Sequence, residues 1–197
     1  MSNETLADKQ AQFDEFFMIT SELPVNVVPL EAGKPVPASD DLESVMPYAF
    51  RIAGEMAAIE AQALRPLRNL GDHAAALTDY LNHQARKIDL MMSYILHQQD
   101  DETCRYQTVK FGGGGIIVST TSPYETGTLA ELKLFLNQEA AAVYCFGEVI
   151  ACQQHGDDYH ISFIFRSIRE QDQELLVRAS LHLQTQQLRK RAQDKQE

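Results

Sequence analysis

Hydrophobic positions recur along this chain with two different periods, and the change of period divides it. Residues 6–18 place Phe13, Phe16 and Phe17 on one side of a short amphipathic helix. Leu23-Pro-Val-Asn-Val-Val-Pro-Leu30, β-branched and bounded by prolines, predicts a strand. Glu31 to Pro37 reads as a Gly/Pro-rich loop. Ser39 with Asp40 and Asp41 then predicts a helix start, because acids in a first turn oppose the positive end of the helix dipole. From there to about Gln98 the chain is rich in Ala, Leu, Met and Gln, and two helices are expected. The first covers about 40–65, kinked or restarted at Pro47, and the second about 67–98. After Asp100 the period shortens. Strands are expected at 106–110, 115–120, 128–136, 141–153 and 159–165, separated by turn-like stretches, and strands so closely spaced predict an antiparallel sheet or small barrel. A last helix, about 170–192, opens on Gln171-Asp-Gln-Glu174 and closes on Arg189-Lys-Arg191, a charge order that suits its dipole.

The second long helix carries the strongest periodicity. With Leu67 at position a of a heptad, the a series is Leu67, Ala74, Leu81, Ile88 and Ile95, and the d series is Leu70, Leu77, Gln84 and Met91. Spacings of 3 and 4 alternating over about four heptads mark a coiled-coil seam. Gln84, its one polar member, is of the kind that selects register and strand number at some cost in stability. Tyr80 and Tyr94 at g, with Ala85 and Met92 at e, leave few charges beside the seam, so the stripe is wide enough for more than one neighbour. Two readings stand: the stripe packs on its own chain, or it joins copies of the chain. We favour self-association, because a helix over 67–98 would span about 45 Å and overhang a small barrel. Spacing alone does not choose two, three or four strands.

Composition narrows the class. The chain has 197 residues with 17 Lys+Arg against 28 Asp+Glu, a net charge of −11, and is 44% hydrophobic and 23% charged. That is a globular composition, long enough to bury a core. Its acidity argues against nucleic acid or an anionic membrane surface as partner, both of which need a basic face. No stretch approaches the apolar length of a membrane span, and no basic-then-apolar leader opens the chain. Cys104, Cys145 and Cys152 form no CxxC pair, which suits reduced thiols and a cytoplasmic location.

Catalytic and cofactor patterns are tested and fail. Gly112-Gly-Gly-Gly115 lacks the lysine and following helix of a phosphate-binding loop and runs into Ile116-Ile-Val-Ser-Thr, a strand, so a turn or bulge needing positive φ is expected. The six histidines give neither HExxH nor a Cys/His zinc spacing, and nothing beside the cysteines marks a nucleophile. Asp40, Asp41, Glu43 and Asp100, Asp101, Glu102 read as solvated helix ends and linkers. Arg65-Pro-Leu-Arg68 and Arg166-Ser-Ile-Arg169 read as surface pairs.

The span from about Thr108 to Arg191 resembles the PilZ domain, a small β-barrel ending in a helix that is the usual bacterial receptor for cyclic di-GMP. The resemblance is carried by Phe111-Gly-Gly-Gly-Gly-Ile-Ile-Val-Ser-Thr120, Ser122-Pro-Tyr-Glu-Thr-Gly-Thr-Leu-Ala-Glu-Leu-Lys-Leu134, Cys145-Phe-Gly-Glu-Val-Ile150 and Tyr159-His-Ile-Ser-Phe-Ile-Phe165, followed by Glu170 to Arg178. Only Gly115 keeps the family's Asp/Asn-x-Ser-x-x-Gly loop; Lys110 stands at the Asp/Asn and Gly112 at the serine. The family's RxxxR pair has no counterpart before the barrel. The layout resembles the atypical, tetramer-forming subgroup, which inserts long helices, one with heptads, after the first barrel strand.

The resemblance implies an α+β fold: a PilZ-like antiparallel β-barrel with an inserted, heptad-bearing helical hairpin and a C-terminal helix. Residues 1–38 would give the first helix and strand, 39–100 the oligomerisation segment and 101–197 the barrel and last helix. It further implies a non-enzymatic cytoplasmic effector or adaptor in cyclic di-GMP signalling, homo-oligomeric and tetrameric, acting on a protein partner not named by the sequence. No cofactor is assigned; cyclic di-GMP is the ligand implied. Candidate ligand residues are Lys110 and Gly115, or Arg65, Arg68 and Arg86 if the site is rebuilt on the helices. The oligomer seam is Leu70, Leu77, Leu81, Gln84, Ile88, Met91 and Ile95. A genuine receptor with that rebuilt site, a purely structural scaffold and a Cys/His hydrolase are the other classes.

Overall fold

The computed structural model describes residues 5–31, 33–67 and 75–193. In chain order its elements are α1 (Leu6–Glu15), β1 (Met18–Thr20), β2 (Pro24–Pro29), α2 (Leu42–Val45), α3 (Tyr48–Leu67), α4 (Ala75–His97), β3 (Arg105–Gly112), β4 (Gly115–Thr120), β5 (Leu129–Leu136), β6 (Ala141–His155), β7 (Asp158–Ser167) and α5 (Glu170–Gln193). All strand pairs are antiparallel and run β3-β2-β5-β6-β7-β4, with β4 returning to β3. Six strands thus close a barrel, which removes the open sheet edge. β1 continues the β2 edge on β3, pairing Met18 with Gly112 where β2 pairs Pro24 with Gln107.

Alternation along the strands fills the barrel. Ile116 and Val118, Leu132, Leu134 and Leu136, Val143 and Cys145, and Ile161 and Phe163 point inward, and α5 adds Leu176 and Ala179. The opposite face of β5 and β6 carries Phe135, Ala142, Tyr144 and Phe146. These would waste apolar surface on water, and the inserted helices cover them: Leu42, Met46, Phe50, Ala53, Met92 and Leu96 form a second core there. Fully buried Phe50 sits 5.9 Å from the rings of both Phe135 and Tyr144. The chain is therefore an α+β barrel with a helical hairpin inserted between its first long strand and the next.

Two polar clusters fix the hairpin to the barrel. At the exit of α4, buried Asn26 donates to Asp100 Oδ1 and the Asp101 carbonyl and accepts from the Asp101 amide, each at 2.9 Å. Arg105 pairs with Asp100 at 2.8 Å. At the entry, Arg169 makes a two-pronged bond to Asp172 (2.8 and 3.0 Å) and reaches Glu43 at 3.3 Å. A Cβ on Gly54 of α3 would lie 2.9 Å from that guanidinium, so the bare glycine lets helix and arginine meet.

Four expectations change. The first helix ends at Glu15 rather than Met18, and Met18 opens a strand over 18–20, because Thr108 stitches the β1–β2 break: its hydroxyl donates to Ser21 O and accepts from Leu23 N. Asp100 is enclosed by Asn26 and Arg105 rather than solvated. Arg169 is buried, not a surface residue. Positive φ occurs at Gly33, Gly127 and Gly156 but at none of Gly112–Gly115; those four are buried, and closeness of packing explains them instead.

Candidate functional site

Helix α4 has one face against its own chain and one left uncovered among the described residues. Met92 and Leu96, at e and b of the heptad, are 5% and 2% exposed and pack with Phe50 and Phe146. The seam turns the other way: Leu81 is 37% and Met91 65% exposed, and Leu77, Ile88 and Ile95 are exposed with them. Tyr80, Leu90 and Tyr94 extend this apolar face. Between α3 and α4 lies a groove of about 470 Å³, whose lining includes Met56, Ile59, Leu81, Gln84, Ile88 and Met92. Half-buried Gln84 shares that mostly apolar lining with Asn82, Asp89 and Glu139. The reading in which the stripe packs wholly on its own chain fails for Leu77, Leu81, Ile88, Met91 and Ile95.

Among the described candidate ligand residues, none lines that groove. Lys110 is exposed on β3 opposite Thr20, and Arg86 is exposed on the outer side of α4. Gly115 is buried: a Cβ there would meet the Phe163 carbonyl and lie 2.6 Å from the Phe13 ring. Gly114 is covered by the Phe16 ring, and Gly113 by Phe16 and by Val177 of α5. Gln173 of α5 donates to Gly113 O at 2.9 Å. The glycine run is a seat for aromatic side chains of this chain. Sequence reasoning noted the three phenylalanines and the four glycines but not their pairing, which joins segments about a hundred positions apart. The side chain of Arg65, together with Arg68 and Leu70, lies outside the described residues.

Titration marks the polar clusters. Thr103's hydroxyl and amide hold Asp101 below its ordinary carboxylate value. Burial pushes Asp172 up, with Arg169 pulling the other way. Burial also raises the Cys145 thiol well above its usual value, which makes it an inert core residue. Among the described residues no group of three His, Cys, Asp or Glu side chains could hold a metal ion, and no helix is long and apolar enough to cross a membrane.

A closed six-stranded barrel with an inserted hairpin and a terminal helix places the chain in a defined structural class. The family model of the PilZ domain matches residues 82–182, and the chain belongs to the PilZ domain family. It is similar to a tetrameric PilZ domain from Xanthomonas campestris, described as self-assembled via a helical bundle, with a TM-score of 0.54 and 15% identity over 91% of this chain and 96% of that one. It also matches the inhibitor of motility of Bacillus subtilis, with a TM-score of 0.40 and 17% identity over 42% of each chain. No curated protein sequence matches it.

Proposed function

We propose that this protein is a non-enzymatic, oligomeric PilZ adaptor in bacterial cyclic di-GMP signalling, located in the cytoplasm and acting through protein contacts. The observation that carries it is the unpartnered a/d face of α4, with Leu77, Leu81, Ile88, Met91 and Ile95 exposed on a helix whose e/b side is already buried. A helix with apolar positions on both sides of one seam suits a bundle of several copies better than a two-stranded coil. The bundle described for the Xanthomonas campestris relative supports a second copy as the occupant, and four chains is the number we adopt. In the segmentation we propose, residues 39–100 form the assembly unit and 101–197 the barrel and last helix, with 1–38 supplying the first helix and first strands.

Replacing Leu81 and Ile88 with Asp tests this reading. Aspartates buried in a shared seam would cost several kcal/mol per chain. The variant should sediment as a monomer with its β circular dichroism intact. A variant that keeps the wild-type mass overturns the seam.

A further inference from the structure

We propose that the outer barrel face around Ile117, Ile150 and Ile164, with Glu148 beside it, is a docking groove for an amphipathic helix bearing a cation and an aromatic side chain one turn apart, and that α1 fills it as a releasable stand-in. The occupant's chemistry is read from α1 itself. Of its ten residues only Phe13 is buried, and Lys9 and Gln10 are partly so. Lys9 and Phe13 stand four apart and so share one face of the helix. The Phe13 ring enters a small cluster with Ile150 and Ile164, flanked by Met18 and Ile117 and separate from the other two cores. Lys9 Nζ lies 2.5 Å from Glu148 Oε1. The other oxygen of that carboxylate is 3.4 Å from Arg166 Nε, so the anion keeps a partner when Lys9 leaves.

The surrounding surface is shaped for aromatic anchors. Buried Gly113, Gly114 and Gly115 have no side chains where the Phe16 and Phe13 rings lie, and any Cβ at Gly114 or Gly115 would collide with a ring. Yet α1 supplies no strand to the barrel. It can lift away with all six strands still paired, as weakly anchored segments do in local opening. A tether raises the local concentration of α1 enough for one aromatic and one ion pair to hold it. A partner helix with the same lysine-x-x-x-phenylalanine spacing would compete for the seat. For its use the proposal rests on the adaptor reading, but it makes no use of the α4 seam, so the oligomer test does not decide it.

Hydrogen exchange on the wild-type chain is the first arm. Amides of Lys9 to Phe16 should exchange at least ~100-fold faster than the central amides of β6 and β7, the mark of opening without global unfolding. The second arm is a labelled peptide of residues 5–17 followed by fluorescence anisotropy. It should bind a Lys9→Ala/Phe13→Ala chain at least ~10-fold more tightly than wild type, where the tethered copy competes. A peptide with Phe13→Ala should not bind either chain. Retained exchange protection in β6 and β7 of the variant establishes that its barrel is folded. Exchange of α1 at the rate of the barrel, or equal or absent peptide binding to both chains, overturns the proposal.

Discussion

Asn26 does with one side chain what a turn sequence usually does with several. Its amide answers three polar groups of the chain leaving α4, in bonds shielded in part from water. Removing it strands the Asp101 amide and one oxygen of Asp100, each costing roughly 1–3 kcal/mol. Asn26→Ala should therefore lower the urea midpoint, and Asn26→Asp should not restore it, since a carboxylate cannot donate to Asp100. Asp101 adds a pH signature. Bonds from Thr103 depress its folded pKa below the unfolded 3.8, so its contribution is present above about pH 4 and lost as pH falls through the folded value. The loss of stability in Asp101→Ala, followed by urea unfolding, should be constant from pH 8 to 5 and shrink below pH 4. A loss that instead grows on acidification would mean that the cap is not acting as a charged acceptor.

Phe50 is the matching point between two elements, helix α3 and the outer face of β5–β6. It is fully buried against Phe135 and Tyr144, and Phe50→Ala should cost about 3–5 kcal/mol by lost transfer and cavity. Because the barrel interior is a separate core, exchange protection should fall first in α3 and α4. Equal loss in β4 and β7 would show that barrel and hairpin unfold as one unit. This element was legible: the Pro47 restart, β4, β5 and the last helix lie within a residue or two of their expected places, since proline and alternation are local signals. What stayed hidden was relational. Met18–Thr20 is too short to carry a period and becomes a strand only because β3 supplies its partner, Gly112 facing Met18. The burial of Arg169 depends on Gly54, more than a hundred positions earlier. For the candidate site, the spacing marked out the heptad positions of the proposed seam, but which side of α4 its own chain covers could come only from the fold.

At the scale of the whole molecule the question is what an acidic PilZ chain does with an anionic nucleotide. Cyclic di-GMP carries two phosphates and two guanines, and tight binding wants forked guanidinium groups and guanine-edge acceptors. The face that would meet it near Gly115 is buried under Phe13 and Phe16, with exposed Lys110 nearby in sequence as a point charge. The net charge of −11 repels any dianion at long range. A Kd of 1 μM needs about −8.2 kcal/mol, more than one lysine and a covered loop supply. Calorimetric titration of the wild-type chain in 150 mM salt should therefore give no sub-micromolar binding. Phe16→Ala, which uncovers Gly114 but leaves Val177 over Gly113, should not create it, because bare amides cannot select guanine. If tight binding is found, its location follows from two variants. Loss in Lys110→Ala would put the nucleotide at the barrel and require α1 to move aside. Loss in Arg65→Ala or Arg86→Ala with Lys110→Ala unaffected would put it on the inserted helices, and the protein would then be a receptor whose ligand sits on its proposed assembly unit.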